Sequence, residues 1–217
     1  EALDKIAEEV EKIAKVCIKH DLLVLTDEIY SELTFSGQHR SVAAQPGMKE
    51  RTIIVDGFSK TYSMTGWRLG FGIMPRDLAA RVDLLLTHSI GSTAHFTQFA
   101  GLEAVTGPQE MVDVMVAEYQ RRRNIIVDGL NAVPGFSCQK PQGAFYAFPN
   151  IRKTGMSSTD LANLILEKAG VALLPGSSFG DCGDGYLRLS YANSVENIQR
   201  GLDKIHKAVR EAATSKK

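Results

Sequence analysis

The hydrophobic positions along the chain follow two different periods. In residues 3–17 they recur every third or fourth residue, which predicts an amphipathic helix whose apolar face holds Leu3, Ile6, Ala7, Val10, Ile13, Ala14 and Cys17. Short continuous apolar runs, typical of parallel strands buried on both faces, follow at 22–25, 52–55 and 69–74. Helical patterns return at 77–87 and 94–106. This alternation of helix and strand predicts an α/β fold.

A long amphipathic stretch at 109–132 predicts a single helix. A helix of about two dozen residues spans about 35 Å at 1.5 Å per residue, which is enough to join two domains. We therefore expect a first domain at 1–107, a linking helix at 108–133 and a small C-terminal domain at 134–217.

The pattern of the last third of the chain differs from that of the first. Alternating apolar and polar residues predict antiparallel strands at 144–148 and 186–191. Helical periodicity is found near 158–168 and 194–212. Asn193, with Glu196 three residues later, predicts a capping box at the start of the last helix.

Composition excludes several classes of protein. The 217 residues carry 25 basic and 25 acidic side chains, so the zero formal charge gives no electrostatic reason to expect nucleic acid or an anionic membrane as partner. No apolar run approaches the roughly 20 residues of a membrane span, and the first residues do not resemble a signal peptide. The cysteines are three, far apart and without a CxxC pair, and the five histidines lack metal-ligand spacing. We expect no metal site, no disulfide framework and a cytoplasmic location.

The densest group of candidate residues surrounds Lys60, just beyond the run at 52–55. Ligands bind at the ends of strands in such sheets. A lysine among apolar and cationic neighbours can lose its proton near neutral pH and act as an imine-forming nucleophile. The alternative is a solvated loop lysine. Arg68, eight residues further on, favours the functional interpretation.

Asp27 follows the run at 22–25 in an equivalent place, with Tyr30 in the same turn. Asp27 is then a candidate carboxylate for a cationic ring nitrogen, and Tyr30 adds a phenol. The alternative for Asp27 is a turn or helix-capping residue, which is common.

Five blocks of the sequence together resemble one family. In order they are DEIYSELTF, DGFSKTYSMTGWRLG, GAFYAFPNI, LLPGSSFG and GYLRLSYANS. Their order and spacing are similar to those of class I/II pyridoxal-phosphate aminotransferases of fold type I, in the aspartate and aromatic branch. The resemblance implies a partial fold of that type. Residues 1–107 would be the C-terminal part of the large cofactor-binding domain, and 134–217 the small α+β domain.

The resemblance also implies a role for each candidate residue. Lys60 would form a Schiff base with pyridoxal phosphate and then move a proton at the substrate α-carbon. Asp27 would pair with the protonated ring nitrogen, and Tyr30 would hydrogen-bond the ring phenolate oxygen. Arg68 would hold the phosphate. Arg188 would grip the substrate α-carboxylate, a bidentate task that suits a guanidinium fork.

One position departs from the pattern of the family. Many relatives have serine three residues before the lysine, in contact with phosphate, whereas this chain has Gly57. Ser59 is the nearby hydroxyl that would replace it.

The segment 88–97 resembles the part that approaches the neighbouring active site in dimeric relatives, so a homodimer is expected for the full-length form. The alternative is an ordinary helix–helix linker.

The resemblance covers only about the C-terminal half of the family chain. Absent are the N-terminal arm, the phosphate cradle, the aromatic residue that stacks on the cofactor and the Asn-Pro loop, so we expect the chain to start inside a fold. Three functions follow. The first is amino-group transfer between an L-amino acid, aspartate-like or aromatic, and a 2-oxo acid. The second is a non-catalytic fragment that needs its N-terminal half. The third is a carbon–sulfur lyase that uses the same cofactor.

Overall fold

The computed structural model describes residues 2–214, which form two compact units that divide between Val114 and Met115. The division falls inside a long helix, Glu110–Asn131. The side chains of residues 2–5 lie outside the described part, and with them the predicted place of Leu3 on the first helix. Within residues 2–214, no helix combines the length and the apolar character that crossing a membrane requires.

The first unit contains a three-stranded sheet and flanking helices. Its elements are α1 (Ala2–Lys19), β1 (Val24–Asp27), β2 (Thr52–Gly57), α2 (Phe58–Thr61), β3 (Gly70–Ile73), α3 (Arg76–Ser89) and α4 (His95–Thr106), followed by the start of α5 (Glu110–Asn131). The strand order is β1-β2-β3. The predicted helices at 3–17, 77–87 and 94–106 are confirmed within about two residues at each end.

Strand β1 begins two residues later than predicted, because Asp21 and Leu22 form the turn that ends α1. Asp21 adopts a left-handed backbone with φ of 48°. Its N–H donates to Ile18 O, and Leu22 N–H donates to Cys17 O at 2.8 Å. This is the hydrogen-bond pattern of a Schellman motif, which ends a helix. The expectation of burial on both faces is also wrong, since Leu25 is 69% exposed.

Strand β3 differs from the predicted parallel strand. It runs antiparallel to β2, with Gly57 opposite Gly70, and all four of its residues are exposed. Only residues 58–69 connect the two strands. This connection of a dozen residues contains only the four-residue helix α2 and a short 3-10 turn, whereas a parallel crossover usually needs a full helix.

The core of the first unit is small. Helix α1 buries Ala14 and Cys17 against Val42 and Met48, in a cluster close to β1. The predicted apolar face of α1 is only partly buried, because Ile13 is 53% exposed.

The second unit continues from α5 into a second antiparallel sheet with two helices. Its elements are β4 (Tyr146–Ala147), α6 (Ser158–Ala169), β5 (Leu174–Pro175), β6 (Leu187–Ser190) and α7 (Val195–Thr214), and the strand order is β4-β6-β5. The predicted helices and the antiparallel strand directions are confirmed, although the strands are shorter than predicted. The core is dense, with Leu130, Ile151, Leu161, Ile165, Leu187 and Ile205 all 0–1% exposed.

The cap of α7 is one residue later than predicted. Ser194 Oγ accepts a hydrogen bond from Asn197 N–H at 3.2 Å. Asn193 Oδ1 instead accepts from Ser194 N–H and from the Asn197 side chain. Ser194 is therefore the N-cap residue, and Asn193 supports the turn before it.

Candidate active site

The parallel pairing of β1 and β2 places two candidate residues at one edge of the first sheet. Asp27, the last residue of β1, is aligned with Val55 of β2. Lys60 lies in α2, which begins directly after β2 ends. Because the carboxyl ends of parallel strands meet at the same edge, Asp27 and α2 both start from the edge where such sheets bind ligands.

The turn after β1 fixes the direction of Asp27. Asp27 Oδ1 accepts a hydrogen bond from Ile29 N–H at 3.2 Å, which forms an Asx turn. No other described residue donates to this exposed carboxylate. The same turn continues through Leu33 N–H, which donates to Tyr30 O at 3.0 Å, and Leu33 is fully buried. Tyr30 is thereby held half-buried beside Asp27.

Glu28 anchors this turn from inside the unit, a role that no motif in the sequence predicts. It is 7% exposed, and its carboxylate lies 2.8 Å from His39 Nε2 and accepts from Ser41 Oγ at 2.7 Å. A buried carboxylate with two charge-assisted partners is strongly held. His39 and Ser41 follow Glu28 by 11 and 13 residues, a separation that no local pattern links.

The edge that holds Asp27 carries negative charge. Burial raises the pKa of the Asp56 carboxyl above its ordinary value, against the effect of the Gly57 N–H, which donates to Asp56 Oδ1 at 2.6 Å. The neighbouring carboxylates of Glu28, Asp27 and Glu32 raise the pKa of Asp56 further. A cationic ligand group is favoured at such an edge.

Gly57 has a packing reason. A Cβ at this position would lie 3.0 Å from Leu69 O and 3.1 Å from Gly70 Cα, since β2 and β3 approach closely there. A serine at this position would therefore need a wider separation of the two strands. Ser59 lies half-buried in α2, and no described residue hydrogen-bonds its hydroxyl.

Arg68 stands at the end of the turn that leads into β3. Its backbone is left-handed, with φ of 54° and ψ of 49°, and Phe58 N–H donates to Leu69 O next to it. The Arg68 guanidinium donates to Thr65 O at 3.1 Å and is exposed. In the described part of the chain no carboxylate pairs with it, so its other N–H groups are available for an anion.

Arg188 lies in the second unit, whereas Asp27, Tyr30, Ser59, Lys60 and Arg68 lie in the first. It is on β6 opposite Leu174. Its guanidinium carbon Cζ lies 4.0 Å from the ring centre of Phe179 and 4.6 Å from that of Tyr146. No described acidic side chain forms an ion pair with it.

The comparisons identify the family. The family model for aminotransferase class I and II matches residues 5–205, so the chain belongs to that family. A putative aminotransferase of Bacillus subtilis, YugH, is 47% identical over 195 residues, which are 90% of this chain and 50% of that protein. The aspartate aminotransferase of Geobacillus stearothermophilus is 42% identical over 93% of this chain and 52% of its own length.

Solved structures agree. An aromatic aminotransferase from Pyrococcus horikoshii superposes with a TM-score of 0.92 and 39% identity, over 95% of this chain and 56% of that one. The aspartate aminotransferase of Rhizobium meliloti gives a TM-score of 0.86 and 33% identity, over 90% and 52%. The predicted family and the partial fold are confirmed, and the chain spans about half the length of the relatives it matches.

Proposed function

We propose that the protein transfers an amino group between an L-amino acid and a 2-oxo acid with pyridoxal phosphate, and that Lys60 is its catalytic residue. The observation that carries the proposal is the position of Lys60 and Asp27 at one edge of a parallel strand pair. Family membership supports it. The names of relatives, aspartate and aromatic-amino-acid aminotransferases, favour an aspartate-like or aromatic substrate.

The chemistry of the residues present fits the cofactor group by group. An amine, Lys60, suits its aldehyde, and the Asp27 carboxylate suits its cationic ring nitrogen. Arg68, exposed and without a described acidic partner, suits the phosphate, together with the Ser59 hydroxyl. Tyr30 offers a phenol for the ring oxygen. When bound, pyridoxal phosphate supplies an electron sink for the substrate α-carbon.

Lys60 acts at the substrate α-carbon. It is half-buried in a helix of four residues, so the position of its backbone is set by the end of β2. Its Nζ would hold the cofactor aldehyde before substrate binds. Once released, the Nζ amine would take the proton from the substrate α-carbon, which is general acid–base catalysis.

Asp27 and Arg188 orient the reacting molecules. The Asx turn holds Asp27 Oδ1, which leaves Oδ2 for a cationic nitrogen, and the negative charge around Asp56 and Glu28 strengthens that pairing. Arg188 offers two N–H groups in one plane to the substrate carboxylate.

We also propose a homodimer for the full-length protein, with the segment 88–97 near its interface. Ile90 and Phe96 support this placement, because they are 79% and 72% exposed. The cytoplasm is the proposed location, on the spacing of the three cysteines.

The proposal is tested by a single half-reaction. The chain is mixed with pyridoxal phosphate and L-aspartate or L-phenylalanine, and the 2-oxo acid and pyridoxamine phosphate are quantified. We expect both products in equal amounts, with Lys60→Ala slower by at least about a hundredfold because the base is removed. Product formation that Lys60→Ala leaves unchanged would contradict the role of Lys60.

A further inference from the structure

The surroundings of Arg188 are aromatic rather than acidic. Its Cζ lies over two rings, Phe179 at 4.0 Å and Tyr146 at 4.6 Å. These distances are within the range of a cation–π interaction. Arg188 is half-buried, and no described residue offers it a carboxylate. The two rings therefore hold the charge without consuming its N–H donors.

The alternation of side chains along β6 places Arg188 on an aromatic surface, which is formed by Tyr146, Phe148, Phe179 and Tyr186. Leu187 and Leu189 are buried at 0% and 7%, so their faces are turned to the core, and Arg188 lies on the opposite face between them. Tyr186 shares the face of Arg188, and its ring is stacked on Phe148 at 5.1 Å between centres.

Phe179 is itself braced by this surface. Its ring meets Phe148 edge-to-face at 6.4 Å. Phe179 nevertheless remains 47% exposed, so only about half of its surface contributes to packing. Of the distances from the Phe179 ring centre to Arg188 Cζ and to the Phe148 ring centre, the distance to Arg188 is the shorter.

We propose that Phe179 and Tyr146 are positioning residues that hold the Arg188 guanidinium ready for a substrate carboxylate. The inference rests on the carboxylate-binding role given to Arg188 under Proposed function. A flexible arginine loses rotamer freedom when it binds a ligand, and restraint before binding removes part of that loss. The rings also favour a cation over their faces while they leave its N–H fork open to an anion.

The experiment follows the Nε–Hε NMR signal of Arg188 in the full 217-residue chain, assigned by its loss in Arg188→Lys. The variants are Phe179→Leu, Tyr146→Leu and Tyr146→Phe. Leu166→Ala is the control, since Leu166 is a 52% exposed apolar side chain on α6 of the same unit and is not one of the rings around Arg188. Each protein is titrated with 2-oxoglutarate, and its melting temperature is recorded.

We expect a ring-shifted Arg188 signal in the parent chain, in Tyr146→Phe and in Leu166→Ala. In Phe179→Leu and Tyr146→Leu the signal moves toward the position of a free arginine. Their affinity for 2-oxoglutarate falls by about three- to tenfold, the size of a cation–π contribution. The melting temperatures stay close to that of the parent chain. If the two rings only stabilised the fold, the loss of affinity would be accompanied by a lower melting temperature.

Two other results would separate the positioning of Arg188 from its binding of a carboxylate. A parent Arg188 signal at the free position, unmoved by Phe179→Leu, would overturn the positioning role even if 2-oxoglutarate binds. A ring-shifted signal that Phe179→Leu moves but 2-oxoglutarate does not would support the positioning of the guanidinium and contradict the carboxylate-binding role of Arg188.

Discussion

At the scale of single residues, the site depends on side chains that fix the directions of others. Asp27 is held by its own turn, and that turn is anchored by the buried Glu28 through His39 and Ser41. Arg188 is held in the same sense by rings rather than by charges. The candidate residues Asp27 and Arg188 thus have neighbours that restrict their positions.

The close approach of β2 and β3 predicts that Gly57 resists substitution. We expect Gly57→Ala to lower the free energy of unfolding by about 1–2 kcal/mol, because its Cβ would meet Leu69 O at 3.0 Å. Urea unfolding measures the change. Gly66→Ala is the control, since a Cβ there has nothing within 4 Å. Equal stability of the two variants would disprove the steric explanation.

Tyr191 predicts a dependence of stability on alkaline pH. Its ring is fully buried, its hydroxyl donates to Ala144 O at 3.0 Å, and burial raises the pKa of its phenol well above the ordinary value. The folded state then keeps its proton where the unfolded state loses it. This contribution is present below about pH 10 and falls as the pH rises above that value.

The measurement compares the parent chain with Tyr191→Phe. At about pH 7 the parent should be more stable by about 1 kcal/mol, because the variant lacks one buried hydrogen bond. Above about pH 10 this advantage should shrink, since phenylalanine cannot ionise. Chemical unfolding at several pH values gives both numbers, and an advantage that stays constant up to pH 11 would refute the argument.

At the scale of elements, the helix α7 depends on its first residue. We expect Ser194→Ala to destabilise the second unit by about 1 kcal/mol, because Asn197 N–H loses its acceptor. Thermal unfolding followed by circular dichroism measures the loss. Ser178→Ala, an exposed serine away from this helix, serves as the control and should have no effect. If Ser194→Ala lost no more stability than Ser178→Ala, the capping hydrogen bond would not stabilise the second unit.

The sequence predicts the long helices better than the strands. Periodicity over about a dozen residues predicts the limits of α3 to α7 closely. In α6 and α7 the apolar residues that produce this period are buried. Strand β1 is displaced since the Schellman motif at Asp21 depends on a left-handed residue that no apolar pattern marks. The connection to β3 lacks the full helix of a usual parallel crossover, and a run of apolar residues carries no information on direction.

The sequence predicts the candidate residues of the site but not the contacts that support them. The motif blocks single out Lys60, Asp27, Tyr30, Arg68 and Arg188, and their roles stay predictions. The support that Glu28 receives from His39 and Ser41 joins residues more than ten positions apart, and the rings over Arg188 come from separate blocks. Contacts of this kind follow from the tertiary fold, so no local pattern reveals them.

At the scale of the whole molecule, the two units are unequally packed. Among the described residues the first unit buries seven apolar side chains and exposes twenty large ones, whereas the second buries twenty and exposes four. The outer edges of β1 and β3 also have no strand beside them in the described part. Unpaired edges and a small core predict a unit of low stability that associates readily.

This difference predicts two levels of hydrogen exchange in one chain. We expect amides of β2 to exchange at least about tenfold faster than amides of α7, which corresponds to about 1.4 kcal/mol of local stability. Exchange followed by mass spectrometry on peptides of the 217-residue chain gives the comparison. Equal protection of both segments would show that the exposed apolar surface does not weaken the first unit.

The central claim is that this chain forms a pyridoxal phosphate site around Lys60. The most direct measurement is the visible spectrum of the purified chain with pyridoxal phosphate, followed by borohydride reduction and peptide mapping. We predict a Schiff-base band and reduction fixed on Lys60, weakened by Asp27→Asn and absent in Lys60→Ala. Label spread over many lysines, and unchanged in Lys60→Ala, would contradict the claim.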